Sequence, residues 1–318
     1  GDMGSVANGG DICHYDCMRI GNFELPEPVP ELRNPHVISS LTPWVDAGSV
    51  GSLTLERLER FMGASDLGQL ERPGRFFDFT RYRPVMYTEG TERRMNVPNT
   101  QLRYAEGPGD TDFIFMHMLE PHSMAEDYID SIVEVLEHLQ VKRFCRVGAM
   151  YDAVPHTRPL LVMGTLNGQP LTGVPGVEGN RRNPYQGPSS IMNMVGDRLG
   201  QQGIDAMTLM IRLPHYVELE ADFAGRTAAL RVLCNMYNLP QEYYFSRRDT
   251  QQYARVTSEM QNNPQVKALV ERLESDYDKR MGVIKPESED GGQDNSPLPP
   301  SIEQFLGELG RRDDDSKK

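Results

Sequence analysis

VGAMYDAVPHTRPLLVMGT, residues 147–165, decides the fold. It begins at the end of an apolar run over 142–147 and closes on a second over 159–165, and both runs read as buried strands. Between them Pro155 and Pro159 each fix φ near about −65°. His156, Thr157 and Arg158 are thereby held in a short, rigid polar loop that joins two core strands.

Outward from this loop, strands and helices alternate. Upstream, His36–Thr42 is a short apolar run that suits a buried strand. It leads through Trp44, Val45, Asp46, Ala47 and Gly48 into a helix over 50–62, where Leu55, Leu58, Phe61 and Met62 share one face. Residues 74–106 hold β-type fragments broken by Pro and Gly, as in short antiparallel strands or edge excursions. Asp112–Leu119 is a further buried strand. Ser123 with Glu126 reads as a capping box before a helix carrying Ile129, Ile132, Val133, Leu136 and Leu139. Downstream, the Gly/Pro/Asn-rich stretch 167–188 reads as a long loop, and Ser189 opens a helix to about residue 200. Asp205–Leu213 is a strand, and a helix over about 220–238 is stopped by Pro240. This succession predicts an α/β fold with a mixed, mostly parallel sheet covered by helices on both faces.

Four regions follow. Residues 1–35 read as a flexible arm in which Pro26, Pro28 and Pro30 oppose regular structure, and 36–240 form the α/β core. Residues 241–282 are a helical extension divided at Asn263-Pro264, with Val266, Leu269, Val270, Leu273 and Tyr277 on one stripe. Residues 283–318 read as a disordered linker and a short tail helix.

Composition narrows the function. The 318 residues carry 46 acidic and 33 basic side chains, a net charge of −13 that opposes general binding to nucleic acid. No run approaches the roughly 18–20 apolar residues needed to span a bilayer, and no signal-type segment is seen, so a cytoplasmic protein is expected. Four cysteines are too few for a disulfide framework. Cys13, His14, Asp16 and Cys17 are metal-ligand types, but no second half-site follows, so no metal and no cofactor are expected.

Ligands of open α/β sheets bind beyond the carboxyl ends of the strands. Asp46, Glu120, His122, His156, Thr157, Arg158, His215 and Tyr216 fall there, with Ser189 and Ser190 at a helix start, as a candidate pocket or subunit contact. A histidine beside a carboxylate suits a general base, and a serine at a helix start suits a nucleophile. Yet there is no Gly-x-Ser-x-Gly elbow, no His-x-His and no His-Glu-x-x-His. The glycines of DAGSVGSL (46–53) are spaced neither as a P-loop nor as a dinucleotide fingerprint.

The central segment 147–165 resembles the signature of the proteasome assembly chaperone 2 family. WVDAGSVGSLTLERL (44–58), FMHMLEP (115–121), YQGPSSIMNMV (185–195), LPHYV (213–217) and NPQVKALVERLESDYD (263–278) match in the family's order. The resemblance implies a three-layer α/β/α fold of the phosphorylase/hydrolase type, a C-terminal helical extension and closed homo-oligomers such as a trimer. It brings no catalytic residue set. The ending Asp315-Ser316-Lys317-Lys318 departs from the hydrophobic-Tyr-any ending of relatives that dock into proteasome rings. A non-enzymatic, oligomeric assembly-chaperone-like or scaffold protein is therefore expected, with other proteins as further partners. The alternative is a small-molecule-binding hydrolase or phosphorylase-type enzyme with its pocket at the strand ends.

Overall fold

The computed structural model describes residues 17–178, 187–245, 247–260 and 263–281. Its elements are β1 (Cys17–Ile20), β2 (Phe23–Pro26), β3 (His36–Thr42), α1 (Val50–Met62), β4 (Ser65–Leu70), β5 (Val85–Glu89), β6 (Glu92–Asn96), β7 (Gln101–Ala105) and β8 (Phe113–Leu119). There follow α2 (Ala125–His138), β9 (Arg143–Asp152), β10 (Val162–Leu166), β11 (Gln169–Pro170), β12 (Val177–Glu178), α3 (Ile191–Gln201), β13 (Asp205–Pro214) and α4 (Phe223–Tyr237). Two further helices, α5 (Arg247–Met260) and α6 (Pro264–Arg280), close the described chain.

One large sheet runs in the order β1-β2-β4-β7-β8-β3-β9-β13-β10-β11, with β12 beside β10. Parallel pairing joins β8, β3, β9 and β13 at its centre. These strands read as continuous apolar runs because both of their faces are covered. In β3, Val37 and Leu41 enter the layer that contains α2 and α3, while Ile38 enters the layer of α1 and α4. In β9, Phe144 faces the first layer, and Cys145, Val147 and Ala149 face the second. The mixed sheet with helices on both faces is as expected.

The expected prevalence of parallel pairing holds only for that central block. β1, β2, β4 and β7 reach β8 through antiparallel pairs, as do β10 and β11 beyond β13. Most of these chain segments return without a crossover helix, and such returns make antiparallel neighbours.

Other expectations are corrected. Part of the supposed arm is sheet: Phe23 and Leu25 of β2 are fully buried in the core. Pro26 ends β2 at the margin, where a missing N–H costs no ladder bond. The capping box does not form, because the residue before α2 is Met124 in a left-handed conformation and Ser123 Oγ donates to the Arg75 carbonyl at 2.7 Å. The 167–188 stretch contains β11 and β12 in its described part. β5 and β6 form a separate hairpin with Val85, Met86 and Tyr87 exposed. The expected tail helix lies outside the described residues, as do Cys13, His14 and Asp16. Cys17 is disulfide-bonded.

The helical extension packs on the carboxyl end of the sheet. Tyr253, Val256 and Met260 of α5 and Val266 and Leu273 of α6 bury against Tyr216, Val217 and Leu219, which follow β13. Asn263 caps α6, its Oδ1 accepting from the N–H groups of Gln265 and Val266, and Pro264 sits in the first turn, where its missing N–H is harmless.

Candidate functional site

The parallel strands β3, β8, β9 and β13 all end at one edge of the sheet, and the polar residues beyond them separate into distinct local arrangements. His156 is the most buried of the VPHTRP polar residues, at 6% exposure. The Tyr216 hydroxyl accepts the His156 backbone N–H at 2.8 Å and lies 2.7 Å from Nδ1. Nε2 lies 3.1 Å from Thr257 Oγ1, whose own proton goes to the Tyr253 carbonyl at 2.9 Å. These partners place the ring proton on Nε2, donated to Thr257, and leave Nδ1 to accept from Tyr216. Burial lowers the His156 pKa to about 4, so the ring is neutral at pH 7. Burial also pushes the Tyr216 and Tyr253 phenols up.

Thr157 and Arg158 point to α6. Thr157 Oγ1 donates to Glu274 Oε1. Arg158 donates from Nε to Asp278 Oδ1 at 2.9 Å, from Nη2 to Asp278 Oδ2 at 2.8 Å and from Nη1 to Glu274 Oε1 at 3.1 Å. The Asp278 bonds raise the Arg158 pKa, and the same contact lowers that of Asp278. One turn of α6 also supplies Tyr277, whose hydroxyl donates to the Pro159 carbonyl at 2.9 Å. Glu274, Tyr277 and Asp278 share a helix face by their spacing of three and four.

The network continues through α5. Tyr253 donates its hydroxyl to Asp222 Oδ2 at 2.7 Å, and Asp222 Oδ1 caps α4 at Gly225 N–H. Gln252 accepts from Phe223 N–H and donates to the Ala221 carbonyl. The loop, both extension helices and the start of α4 are thus one hydrogen-bonded unit.

The remaining candidates lie in separate arrangements. His215 takes its N–H and Nδ1 to the Asp152 carbonyl, at 3.0 and 3.1 Å. Asp46 binds the start of α1: Oδ1 accepts from Gly51 N–H at 2.6 Å and Oδ2 from Ser52 Oγ at 2.6 Å, while burial raises its pKa. Asp46 also bridges to Ala149, so the loop after β3 fills the crevice beside β9. Glu120 offers its carbonyl to the Tyr82 hydroxyl, and His122 Nδ1 accepts from Asp78 N–H at 3.1 Å. Ser190 caps α3, its Oγ accepting from Met192 N–H at 3.2 Å, and Ser189 Oγ accepts from Asn193. Neither serine has a histidine partner among the described residues.

Reading the sequence missed Thr257, Tyr253, Glu274, Tyr277 and Asp278. The signal for the last three was the one-face spacing on α6, next to its apolar stripe. A cleft of about 570 Å³ lies elsewhere, between α3, β13 and the β10–β11 turn, and none of the ten candidates lines it. Among the described residues no cluster of three or more His, Cys, Asp or Glu side chains could hold a metal, and no helix is long and apolar enough to cross a membrane.

The model of the PAC2 family matches residues 40–261. The chain is similar in structure to a protein of unknown function from Corynebacterium glutamicum ATCC 13032, at 21% identity and a TM-score of 0.73 over 83% of this chain and 99% of that one. It is similar to the Mycobacterium tuberculosis protein of unknown function Rv2714, at 23% identity and a TM-score of 0.72 over 93% and 99%. It is also similar to the Mycobacterium tuberculosis proteasome-assembly chaperone homologue Rv2125, at 21% identity and a TM-score of 0.59 over 72% and 94%. At these identities the likeness is one of fold. No curated protein matches the chain.

Proposed function

The chain belongs to the PAC2 family, and on that premise we propose that it is a non-enzymatic, oligomeric assembly-chaperone-like or scaffold protein of the cytoplasm. The observation that carries this reading is the engagement of VPHTRP. His156 has both ring nitrogens bonded within the chain, and Thr157 and Arg158 are bonded to Glu274 and Asp278. A histidine in that state has no lone pair to offer a substrate proton. The signature acts as a seat that fixes the helical extension against the sheet. Its relative Rv2125 is described as a proteasome-assembly chaperone homologue, which fits protein partners rather than a turnover reaction.

The test is co-purification from the native cell, with and without residues 301–318, alongside the native mass of the purified chain. A stable partner protein together with a homo-oligomer supports the proposal. Recovery of a monomer, or of the homo-oligomer with no partner, overturns the assembly role.

A further inference from the structure

The cleft between α3 and the β13–β10 edge has a feature that the rest of the fold does not explain. Arg146, on β9, lines it. Its Nη1 donates to Asn193 Oδ1 at 3.0 Å, while its Nε is buried and has no partner. Among the described residues no carboxylate pairs with it. A buried Nε is shared with Arg143; what differs in the neighbouring arginines is the charge partner, since Arg143 pairs through Nη2 with Asp205 at 3.0 Å and Arg212 pairs with Asp152 and with Glu178, the latter at 3.3 Å. Arg146 is half-buried, with its Nε shielded from water and a neutral amide as its one partner, so the guanidinium keeps donors and charge to offer an anion in the cleft.

The strand register places further donors beside it. Arg146 stands opposite Thr208 of β13, and Thr208 stands opposite Thr165 of β10. The three residues form one cross-strand row, and all three line the cleft. Above the row runs α3, where Gly196 and Gly200 line the same space. Neither glycine has a positive φ. A Cβ on Gly196 would meet only Ala206 Cβ at 3.6 Å, and one on Gly200 would meet nothing within 4 Å. A glycine within a helix costs about 0.5–1 kcal/mol relative to alanine, and packing does not demand it here. What the glycines do is keep the space open above the guanidinium.

We propose that the α3–β13 cleft binds a compact oxyanion, a carboxylate or phosphate group, held by the Arg146 guanidinium with the Thr208 and Thr165 hydroxyls beside it. Asp205 is engaged by Arg143 and by Asn167 at 2.9 Å. Asp197 is exposed on the same lining and sets a negative field at the cleft. That field penalises a polyanion more than a small ligand with a single charged group.

The test uses the whole chain and three salts at equal ionic strength: sodium phosphate, sodium acetate and sodium chloride. Phosphate or acetate raises the melting temperature by about 3 °C over chloride at saturating concentration. Phosphate also stabilises proteins without binding, so two variants carry the decision. Arg146→Gln removes the guanidinium, and Gly196→Leu fills the cleft while leaving Arg146 in place. Both are expected to lose the increment, and calorimetric affinity for inorganic phosphate falls at least about tenfold. The proposal is overturned by a wild-type chain that shows no increment, or by an increment that survives in Gly196→Leu. The second variant decides the matter even if Arg146→Gln does not fold.

Discussion

Arg158 and Asp278 meet as two facing forks, Nε to Oδ1 at 2.9 Å and Nη2 to Oδ2 at 2.8 Å, across 120 residues of chain. This geometry needs the planar guanidinium. A lysine carries the charge but offers a single point of contact. In Arg158→Lys, and more so in Arg158→Ala, the backbone amides of α6 exchange hydrogen severalfold faster, while those of β9 and β3 keep their protection. Mass-spectrometric exchange on the whole chain reads both regions at once. Equal loss in the core strands would show that the fork supports the whole fold rather than the extension.

Tyr216→Phe keeps the ring and removes one oxygen. That oxygen accepts the His156 backbone N–H and lies on Nδ1, so the change leaves two buried polar groups unmatched. A loss of about 1–3 kcal/mol is expected from urea unfolding at pH 7. A change below a few tenths of a kcal/mol would mean that water replaces the hydroxyl.

Stability falls as the medium becomes acidic. Burial holds the His156 pKa near about 4, below the ordinary histidine value. The unfolded chain therefore binds the proton first, and the contribution present above pH about 6.5 is lost as pH drops toward 4. The span corresponds to about 3 kcal/mol at most. His36, which is buried and lies beside the Tyr237 hydroxyl, is also lowered to about 4 and adds to the loss in the same window. In His156→Gln the decline between pH 6.5 and 4 is shallower than in the wild type, as measured by urea midpoints at half-unit steps. Parallel curves would exclude His156 as the titrating group.

Gly148→Ala tests the closed crevice. A Cβ there would stand 2.5 Å from the Val45 carbonyl oxygen, and that oxygen accepts from Ala149 N–H at 2.8 Å. The loop after β3 must move, at a cost of about 1–3 kcal/mol. Thermal unfolding of the variant checks this.

The central layers were legible because their residues obey simple periods. His36–Thr42 and the helix over 50–62 were read with the boundaries that the structure shows, since an apolar run covered on both faces and a 3.6-residue stripe are local patterns. β9 runs to Asp152, five residues past the expected end, because its later part pairs with β13, and pairing is not written in one strand. The β1–β2 hairpin was hidden by its prolines and by short strands whose partner, β4, is remote in sequence. The site divides in the same way. His156, Thr157 and Arg158 stood out by residue type, but Glu274 and Asp278 look like ordinary solvated positions until the loop lies against them. Chemistry that depends on a contact 117 residues away has no local signature.

The length of that separation also sets an order in time. A chain made at about 5–20 residues per second takes roughly 6 to 23 s to pass from Thr157 to Glu274, 117 residues later. Through that interval β3, β8 and β9 can already pair, but Arg158 has no acid, and Tyr216, Val217 and Leu219, made later in it, await first α5 and then α6. That end of the sheet therefore stays open until the extension is made, and the arrival of α6 is the event that closes the Arg158 ion pair.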